Sequence, residues 1–286
     1  MEQRARFGPA GNPDSFYAAG NKASLDMPEW LASQGLNAYE YQVTHGVNVR
    51  EATARAIGEK AKEFGISLSM HAPYYISLAT EDPAIVVNTQ KHFIKSLEVA
   101  HWMGADRIPF HIGGIGKQSR PVALELAKRR LADVMEEVER QGLTHVYLAA
   151  ETHGKGNQLG TVAEIIEVCK ISKQLIPTVD FAHMYAVAGG GYDKVADYAA
   201  VFDVIGEALG DDVSRNLHIH FSHIEFTKAG EKRHWTFKDP YGPPHEPLIE
   251  FIASRGYTPR IICESAGTQA EDAKIMQDFY LELLKK

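Results

Sequence analysis

The chain has 286 residues, 44% of them hydrophobic and 23% charged, with a formal net charge of −7. That composition excludes a disordered or fibrous chain, and nothing in it resembles an apolar membrane span or an export leader. Two cysteines, Cys169 and Cys263, are too few for a disulfide framework, so a reducing, cytoplasmic setting is expected, with Cys263 a buried core thiol.

Strand-like and helix-like segments alternate from end to end. Arg4 to Gly8 reads as a first strand, closed by Pro9, Gly11 and Pro13. Asp26 and Pro28 open a helix that Gly35 ends. Ala38 to Val43 is the second strand, and Arg50 to Phe64 a helix stopped by Gly65. Ile66 to His71 is the third strand, after which Asp82-Pro83 opens a helix with Phe93, Leu97 and Ala100 on one face. Arg107 to His111 is the fourth strand, and its helix carries Leu124, Leu131, Val134, Met135 and Val138 at helical spacing. Val146 to Glu151 is the fifth, followed by a glycine-rich turn and a helix over Val162 to Lys173. The sixth strand ends at Thr178 to Asp180, the seventh covers Leu217 to Ser222, and the eighth ends at Ile261 to Glu264. Ile275, Met276, Phe279, Tyr280 and Leu283 share one face of the last helix. Eight strands and eight helices without a linker predict an α/β fold, one (β/α)8 TIM-barrel domain over residues 1–286.

The strand ends carry the chemistry. His71, His111, Glu151, Asp180, His220 and Glu264 each close a strand-like run, spaced by about one strand plus one helix. A barrel brings such positions together at its C-terminal mouth. Carboxylates and imidazoles crowded there would stay unpaired or repel unless a cation neutralised them. Mixed nitrogen and oxygen donors favour zinc, with manganese or iron as alternatives. The acidic net charge speaks against a nucleic-acid partner only if those carboxylates are not consumed by metal.

The words around these residues are more specific. They read His71-Ala72-Pro73-Tyr74-Tyr75, His111-Ile112-Gly113-Gly114, Glu151-Thr152-His153-Gly154-Lys155-Gly156, Asp180-Phe181-Ala182-His183, His220-Phe221-Ser222-His223 and Cys263-Glu264-Ser265. In this order, from about Phe7 to the C-terminus, they resemble endonuclease IV, the zinc-dependent apurinic/apyrimidinic endonuclease family of the xylose isomerase-like superfamily. The resemblance implies two or three zinc ions at the mouth, cleavage 5′ to an abasic site in damaged double-stranded DNA, and a monomer that binds no membrane. By motif, His71 and His111 would bind one zinc and Glu151 would bridge it to a second, completed by Asp180, His220 and Glu264. His183 and His234 would serve a third. Glu151 and Glu264 are the expected catalytic pair, and Tyr74, Tyr75 and Arg233 the expected DNA contacts.

Two stretches depart from that pattern. The family's Asp-x-His pair after the seventh strand reads here Glu231-Lys232-Arg233-His234, with Lys232 in the aspartate's place. Either Glu231 substitutes through a one-residue shift, or the third site is altered. His223 is open between ligand, base and solvated loop residue. The loop Thr44-His45-Gly46-Val47-Asn48 is short and lacks the expected basic and aromatic residues, Arg50 being the nearest cation. Lys155, Lys228, Lys232, Arg233 and Lys238 form either a basic rim or a scatter of solvated lysines and arginine. Gly189-Gly190-Gly191 is expected to form a tight turn or a mobile edge. The alternative function is a metal-dependent sugar isomerase or epimerase of the same superfamily, with Glu151 and Glu264 moving a proton beside a carbonyl. A third reading is a barrel that binds metal or a damaged strand without cutting.

Overall fold

The computed structural model describes residues 4–43 and 46–285. Eight parallel strands form its centre: β1 (Arg6–Pro9), β2 (Ala38–Gln42), β3 (Ser67–His71), β4 (Arg107–Phe110), β5 (Tyr147–Glu151), β6 (Leu175–Asp180), β7 (His218–Phe221) and β8 (Arg260–Cys263). Ladders join β4 to β5, β6, β7, β8 and β1 in that order, and β2 to β3. Two seams close the ring. Asn37 N donates to Phe7 O and Gly11 N to Glu40 O between β1 and β2; Ala72 N donates to Pro109 O between β3 and β4. The predicted barrel is what forms.

The helices on its outside start and stop on their own local signals. The helix after β3, α3 in a series that begins with α1 (Met27–Ser33) and α2 (Glu51–Phe64), runs Pro83–Met103. Asp82 caps it by accepting from Ala84 N and Ile85 N, and Gly104 ends it in the left-handed region at φ 71°. After β4 comes α4 (Arg120–Arg140), and after β5 comes α5 (Val162–Cys169), opened by a Thr161–Glu164 capping box. The sequence predicts α5 as far as Lys173. It stops at Cys169 because the chain must turn back into β6: Ser172 O accepts from Leu175 N, and Gln174 Nε2 donates to Leu143 O and Val146 O.

The larger departures lie after β6 and β7. Asp180 is at once the last residue of β6 and the N-cap of α6 (Phe181–Ala188), accepting from His183 N at 2.8 Å. Gly189, in the expected turn, is the left-handed cap of that helix. Then follow α7 (Val195–Leu209), α8 (Glu246–Arg255) and α9 (Gln269–Leu283); with the short helices Asp14–Ala18 and Asp211–Arg215 the described residues hold eleven, three beyond the predicted eight. Between β7 and α8 an antiparallel hairpin, His223–Thr227 with Gly230–Trp235, stands where the sequence reading has a loop. Cys169 and Cys263 are buried free thiols, the burial of Cys263 as expected.

Candidate metal centre

All the expected ligand residues stand at the C-terminal mouth. Glu151 is the hub. Its Oε2 lies 2.9 Å from His71 Nε2 and 3.7 Å from His111 Nδ1. Its Oε1 lies 3.0 Å from His220 Nδ1 and 3.6 Å from His183 Nδ1. The two oxygens of one buried carboxylate therefore face two different sets of imidazoles. Glu264 Oε1 adds a second carboxylate 3.6 Å from His220 Nδ1. Two ligand-rich groups, Glu151-Asp180-His220-Glu264 and Asp180-His183-His234, each offer atoms within 4.8 Å of one another, as does His71-Glu151-His220.

The histidines are held from behind. His71 Nδ1 donates to Ala72 O at 2.8 Å and His183 Nδ1 to Thr152 O at 2.9 Å, which leaves each Nε2 free to face the cluster. His234 Nδ1 is 2.7 Å from Ser222 Oγ. A backbone carbonyl or hydroxyl on one ring nitrogen fixes which nitrogen is left for a metal. Meanwhile His111 Nδ1 and Asp180 Oδ2 are buried with no hydrogen-bond partner. Orphaned donor and acceptor atoms aimed into one carboxylate–imidazole nest fit divalent zinc-type metals.

The charges show the same imbalance. Burial by itself would raise Glu151, yet His111 and His220 hold it well below the usual carboxylate range. Burial would lower His71 and His183, yet Glu151 beside the first and Asp180 beside the second push each up to about 9. Burial raises Glu264, with Glu151 and Asp180 adding to the effect. His71, His183 and His220 thus favour the charged imidazolium where cations would otherwise stand, whereas burial keeps His111 neutral.

The substituted Glu231-to-His234 stretch is resolved by a bulge. In the hairpin, Phe226 pairs with Glu231 and Glu225 with Arg233, so Lys232 is an extra residue without a partner. Three residues apart on a regular strand, Glu231 and His234 would point to opposite faces; one extra residue restores a shared face. Glu231 Oε2 accordingly lies 3.4 Å from His183 Nε2, and the His234 ring packs edge-on to His183 at 5.3 Å. Lys232 turns outward and pairs with Glu225 at 2.6 Å. Gly154 makes this approach possible: a Cβ there would lie 2.8 Å from Glu231 Cβ and 2.9 Å from His183 Cδ2.

Other expected residues sit further out. Tyr74 and Tyr75 are about half-exposed, with rings 4.4 Å apart, and line a 480 Å³ cavity at the mouth together with His111, His183, His234 and Glu264. Arg233 lies over the Trp235 ring at 4.3 Å on the rim. His223 belongs to none of the ligand groups among the described residues; its ring packs on Phe237 at 4.9 Å and Nδ1 meets Asp239 O at 3.1 Å. Of the short second loop, Thr44 and His45 lie outside the described residues.

Three residues were missed. Glu40 on β2 is fully buried one layer below the cluster, where Oε1 stands 3.1 Å from His220 Nε2 and Oε2 2.9 Å from His218 Nε2. Ser69 Oγ donates to Glu40 Oε2 at 2.9 Å. His218, which burial drives down to about 3, is a neutral partner. A carboxylate behind a ligand histidine orients it and strengthens it as a donor. The signals were available: a lone acid within the buried strand β2, and His-Ile-His, whose two-residue spacing puts both rings on one face of β7. His153 is the third; its ring stacks on His183 at 5.4 Å, with Nδ1 4.0 Å from Glu231 Oε2.

Comparison with known proteins agrees with the barrel fold. The model of a family described as xylose isomerase-like TIM barrel matches residues 28–282. The chain belongs to that family. Within it, the chain is 31% identical over 282 residues to an uncharacterized protein of Methanocaldococcus jannaschii, covering 97% of both. It is 28% identical over 178 residues to a probable endonuclease 4 of Nitratidesulfovibrio vulgaris, covering 60% of this chain and 61% of the relative. Among solved structures, endonuclease IV of Thermus thermophilus superposes with a TM-score of 0.71 at 19% identity, covering 98% of this chain and 99% of that one. A D-psicose 3-epimerase of Clostridium cellulolyticum does so at 0.66 and 15%, with the same coverage. At such identities the structural likenesses establish the fold alone. The family resemblance to endonuclease IV read from the sequence is supported by its named relatives.

Proposed function

We infer that this family member is a zinc-dependent endonuclease that hydrolyses the DNA phosphodiester 5′ to an abasic site. The observation that carries the reading is the division of Glu151, with one oxygen toward His71 and His111 and the other toward His220 and His183. A carboxylate used on both sides suits a bridged pair of metals. The bulge-restored Glu231 and His234 beside His183 suit a third. Zinc bound there would supply Lewis acidity and an acidified water at a phosphate.

The chain's own residues account for the rest. His71, His111, Glu151, Asp180, His220 and Glu264 would hold two ions, with Glu40 steadying His220 from below. His183, His234 and Glu231 would hold a third, and His153 lies close enough to share in it. Glu264 is less enclosed than Glu151, at 19% against 1% side-chain exposure, and therefore faces the phosphate and orients the attacking oxygen. Tyr74 and Tyr75 at the mouth would wedge or stack beside the lesion. Lys155, Lys228 and Arg233 contact backbone phosphates.

The test is a duplex carrying one stable abasic-site analogue, incubated with the protein, with chelator, and with chelator followed by zinc. A chelator-sensitive nick immediately 5′ of the analogue, restored by zinc, is the expected result. A second reading, proton transfer on a ketose, is favoured by Glu151 and Glu264 both approaching His220 Nδ1. If metal-loaded protein leaves the duplex intact and epimerises a ketose, that reading replaces the first.

A further inference from the structure

The opposite end of the barrel has the reverse imbalance. Arg260 on β8 is buried, and its Nη1 donates to Leu68 O at 2.9 Å and to Asp106 Oδ1 at 2.7 Å, while Nη2 donates to Asp106 Oδ2 at 2.9 Å. Arg107 Nε and Nη2 approach the same carboxylate at 3.2 and 3.3 Å. One carboxylate thus serves two guanidinium groups. Arg4 and Arg6, at the start of β1, join Arg107 and Arg260 around a cavity of about 210 Å³, completed by Asn216 and Thr258. Among the described residues no acidic side chain lines it. The two neutral side chains are already engaged: Thr258 Oγ1 donates to Asn216 Oδ1, and Asn216 Nδ2 to Asp212 O.

The cluster sets one carboxylate, Asp106, against four guanidinium groups. Arg260 Nε is buried without a hydrogen-bond partner. Burial, with Arg260 alongside, lowers Arg107 to about 10 and lowers Arg6 as well. Like charges gathered around one recess repel, and an unfilled buried donor is costly. The remedy is an anion.

We propose that this cavity binds a small tetrahedral oxyanion of the phosphate or sulfate class. Guanidinium forks match two oxygens of such an ion at once; Arg4 and Arg6 bring theirs to the cavity, and the unpartnered Arg260 Nε adds a donor, while the forks of Arg107 and Arg260 are engaged by Asp106. The volume lies below the roughly 300 Å³ at which pockets for drug-sized ligands begin, so the site takes the ion with a few waters and not a nucleotide. It lies at the strand starts, away from the metal centre at the strand ends. It stands independently of the nuclease reading.

The test uses the full-length, metal-loaded protein. Thermal unfolding and calorimetric titration are run with inorganic phosphate against chloride at matched ionic strength, on the wild type and on Arg6→Gln. Arg6 is exposed, so the variant is expected to fold; Arg4→Gln serves if it does not. The expected result is a saturable rise in unfolding temperature of about 3 °C at ten times the Kd, with the affinity at least roughly fivefold weaker in the variant. No rise beyond that in chloride overturns the proposal. So does an equal rise in wild type and variant, which would put the phosphate at the metal centre.

Discussion

At the mouth of the barrel Glu40, Glu151 and Asp180 are buried among imidazoles, whereas at the floor Arg107 and Arg260 share the single carboxylate of Asp106. The same strands build both ends. β8 begins with Arg260 at the floor and leads into Glu264 at the mouth. The difference lies in how each end meets its charge. The mouth holds orphaned ligand atoms that suit cations; the floor holds an orphaned guanidinium donor that suits an anion. A barrel framework tolerates both because the apolar layers between them, such as Phe7, Ile108 and Ile219, are fully buried and carry the packing.

The largest expected effect comes from breaking the mouth at its hub. Glu151→Gln removes the negative charge that faces both imidazole sets and should lower abasic-site cleavage by about 1,000-fold or more, the equivalent of about 4 kcal/mol of barrier. Circular dichroism should show the barrel intact. Next is Glu264→Gln, which should keep the fold and the metals and reduce kcat by about 100-fold; near-normal turnover would remove Glu264 from the chemistry. Glu40→Gln probes the layer beneath. It should weaken metal binding by about 10- to 100-fold, as loss of a carboxylate behind a ligand histidine does, and added zinc should rescue activity. Rescue separates positioning from a structural defect.

Deleting Lys232 sharpens the comparison further. It removes the bulge and leaves Glu231 two residues before His234 on a regular strand, so the two still share a face. The number of metal ions per chain should therefore stay that of the wild type, and the loss of one would contradict the shared-face account. Metal analysis of the purified variant reads this directly.

The smallest effect is at the floor. The two guanidinium groups hold Asp106 well below the usual carboxylate range against the effect of burial. Its folded value is depressed, so its contribution is fully present above about pH 4, the unfolded value, and is lost as pH falls toward the folded one. Asp106 is 45% exposed, which limits that contribution to about 1 kcal/mol. Between about pH 4 and pH 2 the wild type should lose more stability than Asp106→Asn, measured by urea unfolding.

Much of this was legible because barrel strands are short apolar runs with a polar residue at the end. Each of the eight was located to within about two residues at its chemical end. The ligand set was legible because a His, Asp or Glu closes each run from β3 onward. The hairpin was not, since its strands are polar and the bulge at Lys232 breaks their alternation. Nor was α6, because Asp180 serves both as strand end and as helix cap, leaving no loop between them. Glu40 has no motif at all. Its meaning lies in a strand neighbour across the barrel, His220, 180 residues away in the chain.

The central claim is a multi-metal centre bridged by Glu151, and metal content tests it most directly. Zinc per chain should be measured by mass spectrometry on protein loaded and then freed of excess metal, for the wild type and Glu151→Gln. Two or three zinc ions in the wild type, with at least one lost together with Glu151, is the result the account requires. A single divalent ion per chain, unchanged in the variant, would contradict it and fit the epimerase-type reading instead.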